Sequence, residues 1–448
     1  MNSTPITQGR PRAYVLFVTF VAALGGLLFG FDTAVIAGGM RFLKGYFQLN
    51  SFQEGFAVSI LLVGCMAGAA LAGALSDKIG RRRLLLLSAV CFAVSAVGAA
   101  LCRDLALFVA ARLVGGLGVG AASILSPLYI SEISPARIRG SMVSLNQLTI
   151  VIGILVAYFA GWALAGIGPS NWRWMFGVMA LPAAVFFVLL FRVPESPRWL
   201  IKQNREEEAV AVLARINGRA AAEAEARDIR ETIALESGSI RELFRPGLRR
   251  ALVLGVVLAV FQQITGINTV IYYAPRIFEQ AGLERVSALM QSTIVGAVNA
   301  LLTLVAIFWV DKLGRKPLLL AASGGMGVSF ALLGGAFFFK LFAGPWVLVL
   351  VLLYIAFFAM AMGPIVWVVI AEIFPTRVRG RAMAMAIVCL WAADFVVSLT
   401  FPVMADALSE AFTFWIYAVI CAASFVFILF ALPETKGKSL EEIEKSWV

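Results

Sequence analysis

The chain contains no histidine, so it lacks the side chain that most often carries protons near neutral pH. Its five cysteines are scattered through apolar segments without a CxxC spacing, which indicates neither a disulfide framework nor a metal site. Charged residues make up only 14% of the chain, against about a quarter in soluble domains. No nucleophile–base pair or metal-ligand cluster is recognisable. We therefore expect neither an enzyme nor a bound cofactor.

Long apolar runs dominate what is present. The chain is 61% hydrophobic with a mean hydropathy of +0.91. Runs of 18 or more apolar residues recur, each long enough to cross the roughly 30 Å hydrocarbon layer of a bilayer. The sequence predicts twelve spans, at about 14–38, 53–75, 84–102, 105–131, 142–165, 172–193, 250–273, 286–310, 317–340, 345–370, 382–405 and 411–432.

Three charged tracts occur twice in the same order, about 240 residues apart. The copies are Asp77-Lys-Ile-Gly-Arg-Arg82 with Asp311-Lys-Leu-Gly-Arg-Lys316, Glu132-Ile-Ser-Pro-Ala-Arg-Ile-Arg-Gly140 with Glu372-Ile-Phe-Pro-Thr-Arg-Val-Arg-Gly380, and Pro194-Glu-Ser with Pro433-Glu-Thr. A repeat of about 240 residues is too long for a solenoid. It indicates a transporter made of two parallel half-proteins. We predict an all-α polytopic fold with a six-helix bundle at 1–193, a cytoplasmic helical linker at 194–249, a second bundle at 250–432 and a tail at 433–448. Within the linker, helical spacing predicts amphipathic helices at 203–216 and 220–236.

The net charge of +11 is unevenly placed. With a cytoplasmic N-terminus, 29 Lys and Arg fall on the cytoplasmic side and seven outside, or 17 to seven without the linker. This positive-inside bias predicts cytoplasmic termini in the plasma membrane of the cell, the inner membrane in a bacterium. It also explains the positive net charge, so we do not expect the protein to bind nucleic acid.

The repeated tracts lie in short links where carboxylates and guanidiniums can pair across neighbouring spans. A network of such pairs predicts a cytoplasmic gate as well as topology, although topology alone is the alternative, since one exposed pair is worth under about 1 kcal/mol. The candidate gate residues in these tracts are Asp77, Arg81, Arg82, Glu132, Arg139, Asp311, Arg315, Glu372 and Arg379.

Three charges fall within spans: Asp32, Arg112 and Asp394. Such charges cost at least about 2.5–3.5 kcal/mol, which makes them functional candidates. At 1.5 Å per residue, Asp32 and Arg112 both lie roughly 10 Å below the outer surface, where they could pair. The pair is either a fixed structural bridge or a proton-coupling site. The run Gly115-Gly-Leu-Gly-Val-Gly120 lies inside a span, which indicates close helix packing and not a phosphate loop.

Four motifs resemble the sugar porter family of the major facilitator superfamily. They are Gly73-Ala-Leu-Ser-Asp77-Lys-Ile-Gly-Arg-Arg82, Pro194-Glu-Ser-Pro-Arg198, Gln262-Gln263-Ile-Thr-Gly-Ile-Asn268 and Pro433-Glu-Thr-Lys-Gly437. The resemblance implies a major facilitator fold with a central sugar site between the two bundles and transport by alternating access. It also implies proton coupling, since similar proton symporters carry an Asp at the Asp32 position and an Arg at the Arg112 position.

Sugars need amides that donate and accept, and aromatic rings against their C–H faces. Together with the resemblance, this predicts sugar contacts from Phe29, Gln147, Gln262, Gln263, Asn268, Asn299, Trp367, Trp391 and Asp394. Tyr272 and Tyr273 resemble the outer gate of the family, and Pro364 breaks a backbone hydrogen bond in a bending helix. Asp394 departs from the Asn common in relatives, and Leu390 replaces a frequent amide.

The sequence therefore predicts a monomeric carrier in the lipid bilayer that imports a monosaccharide, a hexose or pentose, with a proton. The alternatives are a passive sugar uniporter, a polyol or inositol symporter, and a transporter-like sugar sensor.

Overall fold

A computed structural model describes residues 9–135, 137–235, 240–245, 248–342, 344–374 and 378–434. The side chains of 9–12, 220, 234–235, 240–241, 308–313, 371 and 379 are not described. The described residues contain twelve helical spans, as predicted. In chain order they are formed by Gly9–Phe47, Ser51–Ile79, Arg81–Leu101, Leu105–Ile133, Arg139–Leu164, Asn171–Gly177 with Ala180–Leu190, Leu248–Ile264 with Ile267–Gln280, Arg285–Leu313, Arg315–Phe338, Trp346–Phe357 with Gly363–Ile373, Arg379–Leu408 and Glu410–Ala431.

The two halves meet along long helix pairs. Span 2 packs along span 11, and span 5 packs along span 8. Because the repeat equates span 2 with span 8 and span 5 with span 11, these two contacts are images of each other. The interface between the halves therefore lies at the centre of the bundle. We call the side with the charged tracts the basic side and the other the distal side.

Two spans of the second half are interrupted next to this interface. Span 7 breaks at Gly266, whose φ of +94° suits glycine, before its second helix begins at Ile267. Span 10 contains a π-helical turn, Phe358–Met362, just before Pro364. Proline has no N–H to donate and its ring crowds the preceding turn, so a widened turn there is expected. Both breaks expose backbone carbonyls inside the bundle.

The linker forms helices Pro197–Lys202, Glu206–Asn217 and Arg219–Leu235 and a 3₁₀ turn, Ile240–Phe244. The three helices pack around a small core that includes Trp199, Leu200 and Leu213, and the 3₁₀ turn packs against spans 7 and 11. Helices thus occupy both predicted linker segments. The tail from 435 onward lies outside the described residues.

The glycine run lies in span 4 and packs against neighbouring helices, as the sequence predicts. A Cβ on Gly116 would lie 1.9 Å from the Leu61 carbonyl oxygen, and one on Gly120 would lie 2.0 Å from that of Cys65. In return, a Cβ on Gly64 or Gly68 of span 2 would lie 2.2 or 2.3 Å from span 4 carbonyl oxygens. We call this contact of four glycines, Gly64, Gly68, Gly116 and Gly120, the glycine seam. It brings two backbones together, as small residues do between membrane helices.

Gly116→Ala should destabilise the protein by about 1–3 kcal/mol, since the added methyl group meets backbone that cannot rotate away. Thermal unfolding in detergent, followed by tryptophan fluorescence, would show a lowered Tm. Gly335→Ala is the matched control, since a Cβ there meets nothing within 4 Å and alanine favours a helix by about 1 kcal/mol. Equal Tm values for the two variants would contradict the seam.

Candidate functional site

The predicted Asp32–Arg112 ion pair is formed. Both side chains are 0% exposed. The Nη1 group of Arg112 donates to Oδ1 of Asp32, and Nη2 donates to the Asp32 backbone carbonyl at 2.8 Å. Span 1 thus supplies the carboxylate and span 4 the guanidinium. Because the two charges neutralise each other, the pair can exist at this depth.

The ion pair leaves some hydrogen-bonding capacity unused. Asp32 Oδ2 and Arg112 Nε have no hydrogen-bond partner among the described residues. A Cβ on Gly115 would lie 2.6 Å from Asp32 Oδ2, so only glycine leaves this oxygen room. The guanidinium carbon of Arg112 lies 5.5 Å from the centroid of the Phe176 ring, within cation–π range. The pair is therefore incompletely satisfied, which is unusual for a purely structural bridge.

A chain of amides lies beside the breaks in spans 7 and 10. Gln262 Nε2 donates to the carbonyls of Met362 and Gly363, at 3.1 Å each. Gln263 Nε2 donates to Gln262 Oε1 at 3.4 Å, and Asn268 Nδ2 donates to Gln263 Oε1 at 2.8 Å. Three predicted sugar-binding amides are thus joined to each other and to the interrupted helix.

The aromatic residues predicted for the site come from both halves. The Phe29 and Trp391 ring centroids are 5.6 Å apart, so span 1 touches span 11 here. Trp391 is buried and its Nε1 has no partner among the described residues. Trp367 is partly exposed on span 10. An apolar ring surface with an unused donor suits a polyhydroxylated ligand.

The structure does not bring every predicted sugar contact into the amide chain. Gln147 is partly exposed on span 5 and Asn299 is buried on span 8, and no hydrogen bond to the chain is described for either. Tyr272 and Tyr273, predicted as an outer gate, are both buried. Their hydroxyls donate to span 11, to Asp394 Oδ2 at 3.3 Å and to the Ser398 carbonyl at 2.7 Å.

The basic-side tracts pair as the sequence predicts, and the described pairs join helices of the same half. Arg81 binds both oxygens of Glu132 at 3.0 Å and Asp77 at 2.9 Å, which ties spans 2, 3 and 4 together. In the second half, Arg315 Nη2 donates to Glu372 at 3.1 Å. These pairs stabilise each half on the side where the tracts lie.

The other predicted gate residues differ in position. Arg82 Nε donates to the Leu190 carbonyl at 2.8 Å, at the end of span 6. Arg139 is exposed, and no ion pair of Arg139 is found among the described residues. The side chains of Asp311 and Arg379 lie outside the described part.

Sequence reasoning gave no role to Glu195 and Glu434, the repeated glutamates of the Pro-Glu-Ser and Pro-Glu-Thr tracts. Glu195 Oε1 accepts from the backbone N–H groups of Arg81 and Arg82, at 3.0 and 3.1 Å. Glu434 accepts equivalent bonds, at 3.0 Å each, at the start of span 9. Carboxylates stabilise such helix N-termini through both the hydrogen bonds and the dipole. The doubled tract was the available signal.

A distal cluster was also missed. Arg276 of span 7 donates to Glu54 of span 2 at 3.0 Å and to Asp406 of span 11 at 2.7 Å, and Lys44 donates to Glu54 at 2.7 Å. Glu410 lies 3.6 Å from Arg276 Nε. Two more contacts cross between the halves, Arg41 with Glu279 and Ser51 with Asp406. We call these residues the distal cluster; it holds the halves together on the distal side.

Comparison with known proteins gives a consistent result. The family model described as sugar (and other) transporter matches residues 18–447. The arabinose–proton symporter of Bacillus subtilis is 42% identical over 453 residues, 100% of this chain and 98% of the relative. The D-xylose–proton symporter of Escherichia coli K12 is 40% identical over 97% of this chain and 96% of the relative. The inward-open structure of the E. coli xylose transporter matches with a TM-score of 0.87 and 39% identity, over 97% of this chain and 100% of that one. The similarity covers both halves and the interface between them.

Proposed function

Because the chain belongs to the sugar (and other) transporter family, we propose that it imports a monosaccharide together with a proton. Its twelve spans form the major facilitator fold that the sequence predicts. The observation that carries the proposal is the amide chain from Gln262 to Asn268, which is hydrogen-bonded to spans 10 and 11, the spans that carry Trp367 and Trp391. Amides that both donate and accept suit hydroxyls, and the rings suit the apolar faces of a sugar.

Proton coupling is assigned to the Asp32–Arg112 pair. Protonation of Asp32 from outside removes the charge that holds the guanidinium, and this favours rearrangement around bound sugar. Release of the proton toward the cytoplasm restores the pair and resets the carrier, since Arg112 favours the charged carboxylate. The unpartnered Oδ2 of Asp32 supports this role, because it is a buried acceptor that nothing else occupies.

Orientation follows from the positive charge. With the basic side in the cytoplasm, both termini are cytoplasmic and the distal cluster faces outward. Arg81, Glu132, Arg315 and Glu372 then hold the cytoplasmic ends of the spans within each half, where they act in opening and closing. Tyr272, Tyr273 and Pro364 belong to the same proposal as moving parts of spans 7 and 10.

Purified protein in proteoliposomes should take up at least one labelled pentose or hexose, and faster when the outside is acidic. A panel of pentoses, hexoses and inositol, with and without a pH gradient and an uncoupler, measures both substrate and coupling. Uptake that ignores the gradient and the uncoupler would instead make the protein a passive uniporter. Binding without any uptake would favour a sensor.

A further inference from the structure

Asp394 of span 11 is a carboxyl group that is 0% exposed and forms no salt bridge among the described side chains. Its three hydrogen-bond partners are neutral. Asn268 Nδ2 donates to Oδ2 at 2.6 Å, Tyr272 Oη donates to the same oxygen at 3.3 Å, and Ser398 Oγ lies 3.0 Å from Oδ1. A buried charge without a counter-ion is costly, and a group in that position takes up a proton instead.

The ionisable groups around Asp394 supply no counter-ion. Those that interact with it electrostatically are a thiol and three phenols, which are neutral at neutral pH: Cys65 of span 2, Tyr272 and Tyr273 of span 7, and Tyr417 of span 12. Arg112 lies close enough to act on two of these groups, but Asp32 already neutralises its charge. The other charged residues of spans 2, 7, 10, 11 and 12 lie near the ends of these spans.

The hydrogen bonds of Asp394 fit a neutral carboxylic acid without rearrangement. Oδ2 accepts from both Asn268 and Tyr272, which is the role of the carbonyl oxygen of the acid. Oδ1 is bonded to the hydroxyl of Ser398, and a hydroxyl can accept as well as donate. A proton on Oδ1 can therefore be donated to Ser398 Oγ. The neutral form keeps all three bonds and avoids the cost of the buried charge.

The burial of Asp394 depends on contact between the two halves. Asn268 and Tyr272, which cover it, lie on the second helix of span 7, and this helix packs against span 1. Tyr158 of span 5 also donates to the Ile271 carbonyl of the same helix at 2.5 Å. The first half thus supports the cover. When the halves separate on the distal side, this support is lost and water can reach the carboxyl group.

We propose that Asp394 is a second proton-binding site, which takes up a proton from the distal side as that side closes and returns it there on opening. In this structure the distal cluster is formed and Asp394 is cut off from water on both sides. Its proton is therefore distinct from the one assigned to Asp32, because it is not carried across the membrane. The proposal rests on the proposed function for the alternation between the two states.

This proton makes closure of the distal side depend on pH. The neutral form of Asp394 is favoured in the closed state and the charged form in the open, hydrated state. Acidic pH therefore favours closure, and rising pH weakens it. The ratio of closed to open protein should fall by up to about tenfold per pH unit, the limit for one proton.

Infrared spectroscopy of the purified protein in lipid tests for the proton without any sugar. At neutral pH the wild-type protein should show the C=O stretching band of a neutral carboxylic acid. The band should lose the intensity of one carboxyl group in Asp394→Asn and should keep it in Asp32→Asn. Asp104→Asn is the matched control, since it makes the same change at an exposed helix cap, and it should also keep the intensity.

Absence of the band from the wild-type protein would overturn the proposal without any variant, and so would equal intensity in Asp394→Asn. Neither result depends on transport. If the wild-type protein takes up no monosaccharide, the proposed function fails instead.

Distances between spin labels at the distal ends of spans 1 and 12 test the link to closure. In an otherwise unchanged protein and in Asp104→Asn, they should lengthen as the pH rises from acidic to alkaline. In Asp394→Asn they should stay short, because the amide has nearly the same shape and is neutral throughout. The same pH response in Asp394→Asn as in the control would refute the link between this proton and closure.

Discussion

Asp32→Asn should abolish sugar accumulation while leaving sugar exchange across the membrane. The amide keeps the size of the carboxylate and can still accept a hydrogen bond from Arg112. It cannot take up a proton and release it again within the transport cycle. A membrane potential of 100 mV supplies about 2.3 kcal/mol per proton, enough for about 50-fold accumulation. In the variant, the ratio of internal to external sugar should stay near one, and sugar uptake should no longer carry protons inward. Labelled-sugar accumulation, counterflow and a pH-sensitive dye report the three quantities.

Asp104→Asn is the matched control for this variant. Asp104 caps span 4 by accepting from the Leu107 N–H at 2.9 Å, and asparagine caps helices about as well. Its accumulation should equal that of the wild-type protein. Undiminished accumulation in Asp32→Asn would refute proton coupling through this pair. Loss of exchange as well would assign the pair to folding or sugar binding.

Arg276→Gln should shift the carrier toward a state that is open on the distal side. Arg276 joins Glu54 of the first half to Asp406 of the second, and Glu54 is only 2% exposed. Removal of one partner of a buried pair costs about 3–5 kcal/mol when the other charge is left uncompensated. Glu54 keeps Lys44 as a partner, so the cost of Arg276→Gln is below that range. In a separated state these carboxylates meet water, so the cost is smaller there. A difference of about 1.4 kcal/mol between the two states would change their ratio about tenfold.

Distances between spin labels on the distal side, measured by electron paramagnetic resonance, can detect this shift. Labels at Gly45→Cys of span 1 and Phe412→Cys of span 12 suit the purpose, with the five native cysteines replaced. Gly45 has open space around its Cα and Phe412 is exposed. Longer distances are expected in Arg276→Gln. Arg103→Gln removes another exposed distal charge and should leave the distances unchanged. Identical distributions in both variants would show that the distal cluster does not control closure.

The parts of the site that the sequence predicts are those marked by depth or by repetition. Asp32 and Arg112 could be paired from the sequence because the position of a residue within a span gives its depth in the membrane, and few charged residues lie at that depth. Arg81 and Glu132 could be paired because each belongs to a tract that occurs twice. The twelve spans follow directly from apolar length.

The distal cluster could not be predicted in this way. Arg276 and Glu54 are 222 positions apart in different halves, and neither belongs to a repeated tract. The direction of the amide chain was equally hidden. It depends on which atoms of Asn268, Gln263 and Asp394 face each other, and composition cannot specify a side-chain rotation.

The glycine seam has a mechanical consequence. Where two backbones touch, no side chains lie between them that could change rotamer and absorb a displacement, so spans 2 and 4 form one stiff lever. Arg112 lies one turn from Gly116 on this lever, and Glu54 lies at the distal end of its other helix. We therefore expect a shift of span 4 at Arg112 to move span 2, which carries Glu54, as well. If Asp32 carries the proton as proposed above, its protonation and the closure of the distal side are coupled through the rigid contact of spans 2 and 4.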